Sequence, residues 1–386
     1  MPSPPIPKAY ALTMASVVGL IIILVVLWSS PRLTERHVNA TTTGLGTPTN
    51  PDVPIVIENA DEDVTSAGLK ETTVDKDLVL TKNDFTMVFA KRLAGAVYRM
   101  TWGKNLIIPE IEGNGGSLQV ALAFDVNLGE SPEVENPTEA GSHKDMYGKT
   151  TSKWMRAASS GSEAFTESRL AYYYPPGDIV ASSQKKTRAR GSSPLSDVYM
   201  KKRVTIGWMN FANVVNFDIH LRWSMDHFFS QVQILAVYLT RDFKTPYLAQ
   251  GGRAVPAPSK TKGKFVEASP PLTSYPVIVA SKTAAVGLYA YSVPKLGRFK
   301  AGGWQPWYTG DTTSEGAKDN GKGLQPVKLS PITAIWQWGD PAGTSTGPKA
   351  VHIPKVARFG CCLVFGKTPD QVAQTIQHIS DKLKSS

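Results

Sequence analysis

The chain has almost no cysteine. Cys361 and Cys362 are the only two among 386 residues, and they are neighbours. Adjacent cysteines bridge each other only in a strained geometry, and on a strand they point to opposite faces. A disulfide framework and a cysteine zinc site are therefore excluded, while the redox compartment stays open. Some familiar catalytic signatures are missing as well: H-E-x-x-H and G-x-G-x-x-G do not occur. There is no internal repeat of fixed period. Gly366-Lys367-Thr368 ends like a phosphate-binding loop, but Cys361 stands where that pattern needs a glycine and Pro369 follows at once. A helix cap is the better reading. His220 and His227 lie seven residues apart across a turn-like Ser224-Met225-Asp226, a spacing that suggests no metal site. No cofactor is implied.

Charge is not balanced. The net charge is +10, which invites a nucleic-acid reading. Much of the excess lies in local groups, Lys185, Lys186, Arg188 and Arg190, then Lys201, Lys202 and Arg203. Such groups read as solvated loops, and no nucleic-acid motif accompanies them.

One long apolar run exists. Ala9–Trp28 is twenty residues without a charge, enough at helical rise to span a hydrocarbon core. The run is long, no small-x-small site follows it, and Pro31 lies close behind, so an uncleaved signal-anchor is favoured over a cleaved signal peptide. Positive charges flank both ends and leave orientation open; the very short N-terminal tail favours a body outside the cytoplasm. The expected organisation is a tail and transmembrane anchor over 1–30, a flexible stalk over 31–67, a β-sandwich over 68–366 and a C-terminal helix over 367–386. The stalk is rich in Thr, Pro, Asn and Asp, and its Asn39-Ala40-Thr41 sequon matters only in a eukaryotic secretory pathway.

Strand signals dominate from Lys70. Phe85–Lys91 alternates, and Ala94–Trp102 and Ser117–Asp125 follow. The segment from about Val126 to Lys186 carries few strand signals. Val214–Trp223 alternates most cleanly, with Val215, Phe217, Ile219, Leu221 and Trp223 inward and Asn216, Asp218, His220 and Arg222 outward. Phe228–Thr240 is apolar enough to be covered on both faces. Further strands are expected at Pro276–Ala280, Ala284–Tyr291, Thr333–Trp338, Ala350–Ile353 and Val356–Phe365. Pro369–Leu383 is the best helix: Thr368 caps it, Pro369 suits its first position, Gln371 completes a capping box, and Val372, Ile376, Ile379 and Leu383 share a face. Many strands with one terminal helix predict an all-β fold, a large antiparallel β-sandwich, with the helix packed on it.

Candidate site chemistry concentrates between Gly113 and Asp145. Gln119 lies in a strand; Glu133, Glu135, Asn136, Glu139, His143 and Asp145 follow in a long Pro- and Gly-punctuated loop. Paired carboxylates there can serve acid–base or glycosidic chemistry, accept hydrogen bonds from sugar hydroxyls, or solvate a surface loop. Tyr172-Tyr173-Tyr174 and the Trp304, Trp307 and Tyr308 segment add aromatics able to stack on a sugar face or to cap a core. Trp336 and Trp338 share a strand face.

Gly-Gly-Ser-Leu-Gln at 115–119, Glu-Asn-Pro-Thr-Glu-Ala-Gly at 135–141, and Phe228–Leu239 with Ala-Val-Tyr-Leu at 236–239 resemble a set of extracytoplasmic proteins similar to the galactose-mutarotase-like β-supersandwich group. The resemblance covers about Lys70 to Phe365. It implies a sugar held on a concave sheet face by His, Arg, Asp, Glu and Trp side chains. The resembled group includes aldose epimerases and domains of glycoside hydrolases and polysaccharide lyases; epimerase chemistry needs a base and an acid, usually Glu and His, which directs attention to His227 and to Val232–Gln233. Gln233 cannot act as a base, which shifts weight to the acidic loop or to binding alone. The reading is a membrane-anchored, extracytoplasmic carbohydrate-binding or carbohydrate-processing protein whose partners are a glycan and the membrane, not nucleic acid. If it is catalytic, Glu135, Glu139 and Asp145 are the acid–base candidates. Arg99, Gln119, Asn136, His143, His227, Tyr173, Trp304 and Trp307 are the binding candidates. The alternative is an assembly protein, as in surface layers or capsids, with no catalytic activity.

Overall fold

The computed structural model describes residues 63–110, 118–124, 132–145, 149–180, 187–225, 227, 229–240, 242–243, 245–257, 266–267, 276–292, 305–306, 309–310, 327–329, 331–334 and 355–385. The apolar run Ala9–Trp28, the sequon, Trp304, Trp307, Trp336, Trp338 and the strand expected at Ala350–Ile353 lie outside them. Among the described residues no helix is long and apolar enough to cross a membrane.

The principal strands are β1 (Leu78–Lys82), β2 (Phe85–Phe89), β3 (Val97–Trp102), β4 (Asn105–Ile108), β5 (Leu118–Phe124), β6 (Lys153–Ser160), β7 (Glu163–Tyr172), β8 (Leu195–Ile206), β9 (Val214–Trp223), β10 (Phe229–Leu239), β11 (Thr245–Gln250), β12 (Arg253–Pro256), β13 (Val277–Ala280), β14 (Ala285–Ser292) and β15 (Val356–Gly366). The helix α1 (Pro369–Ser385) closes the chain. Their pairings are antiparallel. One layer runs in the order β6, β7, β8, β9, β15, β14, β13, β11, β12. The other runs β1, β2, β3, then β5 and β10, with β4 beside β3. The short strand Pro137–Thr138 pairs with both β5 and β7 and so joins the layers along one edge.

Alternation explains the core. On β9, Val215, Phe217, Ile219, Leu221 and Trp223 are all buried between the layers as their period predicts. On β15, Cys361 joins this main core while Cys362 joins a second cluster on the outer face, beneath α1. That second cluster buries Val372, Ala373, Ile376 and Ile379 of the helix against Ile278, Ala285 and Val364. Thr368 caps the helix as expected, its Oγ1 accepting from Gln371 N at 3.3 Å. The return bond reaches one residue further back than in a simple capping box, with Gln371 Oε1 accepting from Lys367 N at 2.9 Å.

Several expectations are corrected. The stretch expected to carry few strands contains β6 and β7, and β8 is a further long strand. Lys201, Lys202 and Arg203 are therefore not a solvated loop but the middle of β8. Lys202 occupies an inward position in the row Val198, Met200, Lys202, Val204, Ile206, all of them buried. Two residues expected to face water on β9 are also covered. Asn216 accepts a hydrogen bond from Tyr291 Oη at 2.8 Å, and His220 lies 2.8 Å from Asp63. The last residues assigned to the stalk are packed. Val64 is buried against Ala158 and Phe165, and Arg203 donates to the carbonyls of Thr65 and Ala67.

Candidate functional site

The acidic loop divides into a buried part and a rim. Because Pro137–Thr138 is drawn into the sandwich edge, the residues directly after it enter the interior. Glu139 is fully buried and contacts Nζ of Lys202, itself fully buried. Its Oε2 accepts from Val120 N at 3.2 Å, while Gln119 Oε1 accepts from Ala140 N at 3.0 Å. Burial pushes the Glu139 carboxyl up from its ordinary value, against the opposing pull of Lys202. Gln119 and Glu139 are thus neighbours, as the sugar reading required, but both are turned inward.

Asp145 serves the loop's own backbone. Its carboxylate accepts from Ser142 N at 2.6 Å, from Thr151 N at 2.7 Å and from the Thr151 hydroxyl. Gly141 makes this possible: its φ is +105°, and a Cβ there would stand 2.2 Å from Asp145 Oδ2. Arg99 is half exposed and pairs with Glu110 at 3.2 Å, away from the loop's carboxylates. His227 is buried, 2.9 Å from Asp197 and stacked on Phe124 at 4.3 Å between ring centroids. A sugar site built from Arg99, Gln119 and a loop carboxylate would need them to converge in one pocket; instead Arg99 pairs with Glu110 while Gln119 and Glu139 are turned inward. The physical reason is that each of these groups already has a protein partner.

The rim gathers the remaining candidates. Tyr173 donates its N–H to Asn136 O at 2.7 Å and accepts from His143 N at 2.8 Å, so Asn136 and His143 flank it. The His143 ring lies 5.6 Å from the Tyr173 ring and 4.6 Å from that of Tyr174. His143 Nε2 is 3.1 Å from Asp178 Oδ2, and Lys144 Nζ is 2.6 Å from Asp178 Oδ1. An acceptor-only carboxylate places a proton on Nε2. The bond from Lys144 is the leading reason that Asp178 titrates below its ordinary value, with His143 adding to it. Tyr172 Oη donates to Glu135 at 3.3 Å. The Asn136 side-chain oxygen is buried and makes no hydrogen bond among the described residues. Asp178 belongs to this cluster and was missed in the sequence; it follows Tyr-Tyr-Tyr-Pro-Pro-Gly directly, and that aromatic-then-turn pattern was the available signal. The described residues contain no group of three or more His, Cys, Asp or Glu placed to hold a metal ion.

No family model matches the chain, and no curated protein sequence does. Several solved structures overlap it loosely. A putative aldose 1-epimerase from Escherichia coli K12 aligns at 9% identity over 76% of this chain and 99% of its own, with a TM-score of 0.43. A galactose 1-epimerase from Lactobacillus acidophilus NCFM aligns at 9% identity over 75% and 94%, with a TM-score of 0.41. A galactose mutarotase-like protein from Clostridium acetobutylicum aligns at 8% identity over 78% and 98%, with a TM-score of 0.39. Overlap this loose fixes no residue correspondence, and no role passes from those proteins to this chain.

Proposed function

We propose that this chain is a carbohydrate-binding β-sandwich protein, held at a membrane by Ala9–Trp28 with its body outside the cytoplasm. The observation that carries the binding reading is the rim cluster. A histidine oriented by Asp178 lies against two tyrosines, with Glu135 and Asn136 beside them. A sugar ring needs an apolar platform together with oriented donors and acceptors. Tyr173 is partly exposed, and the His143 and Asp178 side chains are partly open to solvent. Binding fits better than acid–base catalysis, because Glu139 and Asp145 are committed to protein donors. The membrane reading rests on the length and apolarity of the run alone.

A glycan array probed with the full-length protein tests the binding reading. Tyr173→Ala and Asp178→Asn should each weaken any captured glycan about tenfold, the equivalent of about 1.4 kcal/mol, with the fold intact by circular dichroism. Glycan binding that neither substitution alters would place the site elsewhere. An array with no captured glycan would remove the reading.

A further inference from the structure

Lys202 projects from the middle of β8 into the space between the layers, at a position whose neighbours along the strand face are Met200 and Val204. Glu139 reaches it from a stretch 63 residues away in the chain. Both side chains are wholly enclosed, and Nζ touches Oε1. Around the ammonium are the Gly95 carbonyl at 3.4 Å and the Phe89 ring, whose centroid is 6.0 Å away. The other carboxylate oxygen, Oε2, accepts from Val120 N. Thr166, directly opposite Lys202 on β7, is fully buried, and its hydroxyl makes no hydrogen bond among the described residues.

A fully buried ion pair is a costly way to fill a core. Desolvating both charges can exceed their attraction, and burial already drives Glu139 toward its neutral form. The neutral form of such a pair is an amine in contact with a carboxylic acid. Held in contact by packing, the two groups react as one molecule, at an effective concentration far above any attainable in solution.

We propose that Lys202 and Glu139 condense after folding into an intramolecular amide, so that β8 and the 132–145 loop are covalently joined inside the sandwich. The step balances without any further reactant. A proton first passes from the ammonium to Oε1, leaving a neutral amine and a neutral acid. The Nζ lone pair then attacks Cδ and forms the N–C bond. Negative charge develops on Oε2, where the Val120 N–H already lies. A second proton moves from Nζ to the Oε1 hydroxyl, the two atoms being already in contact. The Cδ–Oε1 bond breaks, one water leaves, and the carbonyl on Oε2 is restored. Nothing is oxidised or reduced. Neither charge survives in the core.

The test is the mass of the purified full-length chain under denaturing conditions. The bond predicts a mass about 18 Da, one water, below that of the sequence. A protease digest should then yield a branched peptide joining the Glu139 and Lys202 segments. Lys202→Arg, which keeps the charge but offers no amine to acylate, should restore the full mass. The full sequence mass in the unaltered chain, with linear peptides carrying free Lys202 and free Glu139, overturns the proposal. So does a deficit that maps to other residues or persists in Lys202→Arg. Should that variant fail to fold, the digest of the unaltered chain decides alone.

Discussion

Asp197→Asn isolates the electrostatics of the turn between β9 and β10. Asp197 is 9% exposed. Its carboxylate accepts from Ser224 N at 2.9 Å, Ser224 Oγ at 3.2 Å, Met225 N at 2.7 Å and His227 Nε2 at 2.9 Å. Burial on its own would raise the pKa of this group. The bonds from His227 and from the Met225 and Ser224 N–H groups outweigh it and hold the value down at about 2, against an ordinary 3.8. That difference corresponds to about 2.5 kcal/mol at neutral pH, at about 1.4 kcal/mol per pKa unit. The folded value lies below the unfolded one. The contribution is therefore complete above the unfolded pKa and is lost as pH falls through 3.8 towards about 2. Asparagine keeps the shape but cannot carry the charge, and its amide turns a donor towards groups that are themselves donors. Urea unfolding followed by tryptophan fluorescence, from neutral pH down to about pH 2.5, should show a gap of about 2–3 kcal/mol between the two proteins that closes in the acid range. A gap of constant size at every pH would show that ionisation of Asp197 is not the source. A gap below about 0.5 kcal/mol at neutral pH would show that the turn does not depend on it.

Gly287→Ala should cost about 1–3 kcal/mol by overpacking, because the new methyl would stand 2.5 Å from Val372 Cγ1 and 3.0 Å from Ile376 Cδ1; an unchanged melting temperature would mean that α1 is not seated on β14. Thr368→Ala removes the cap from Gln371 N and should cost about 1 kcal/mol in chemical denaturation, with no effect expected on glycan binding at the distant rim. If Ala9–Trp28 spans a bilayer, the full-length chain should resist alkaline carbonate extraction, and removal of the first thirty or so residues should release a folded body. Recovery of a mature chain beginning near Pro31 would identify the run as a cleaved signal peptide.

The parts legible in the sequence were those governed by a local period. β9 showed its inward face because every second residue is large and apolar, and α1 announced itself through Thr368-Pro369 and an apolar stripe. β6 and β7 were not legible because Trp154 and Leu170 are their only large inward residues among small or polar ones such as Ala157, Ala164, Thr166 and Ser168, while Arg156, Glu163, Glu167 and Arg169 supply charge on the other side. β8 was hidden for a sharper reason: a lysine stands where its alternation calls for an apolar residue. Nothing within the strand says that Lys202 is enclosed; only Glu139, remote in sequence, makes that position tolerable. The candidate site followed the same rule. Residue types in the acidic loop were readable, but whether each carboxylate met water, backbone or a cation depended on how Pro137–Thr138 bridges the two layers. Asp178 enters the rim through the turn at Pro175-Pro176-Gly177, which the sequence of the acidic loop itself does not record.

The paired thiols of β15 have a use in following how the molecule opens. Cys361 is sealed in the main core and Cys362 under α1, both fully buried, and burial pushes each thiol well above its ordinary value. In the closed state neither offers a thiolate to an alkylating reagent. Lifting the helix would bare Cys362 alone; parting the two layers would bare Cys361. The ratio of labelling rates at two consecutive residues thus separates helix undocking from global unfolding, with no probe engineered into the chain.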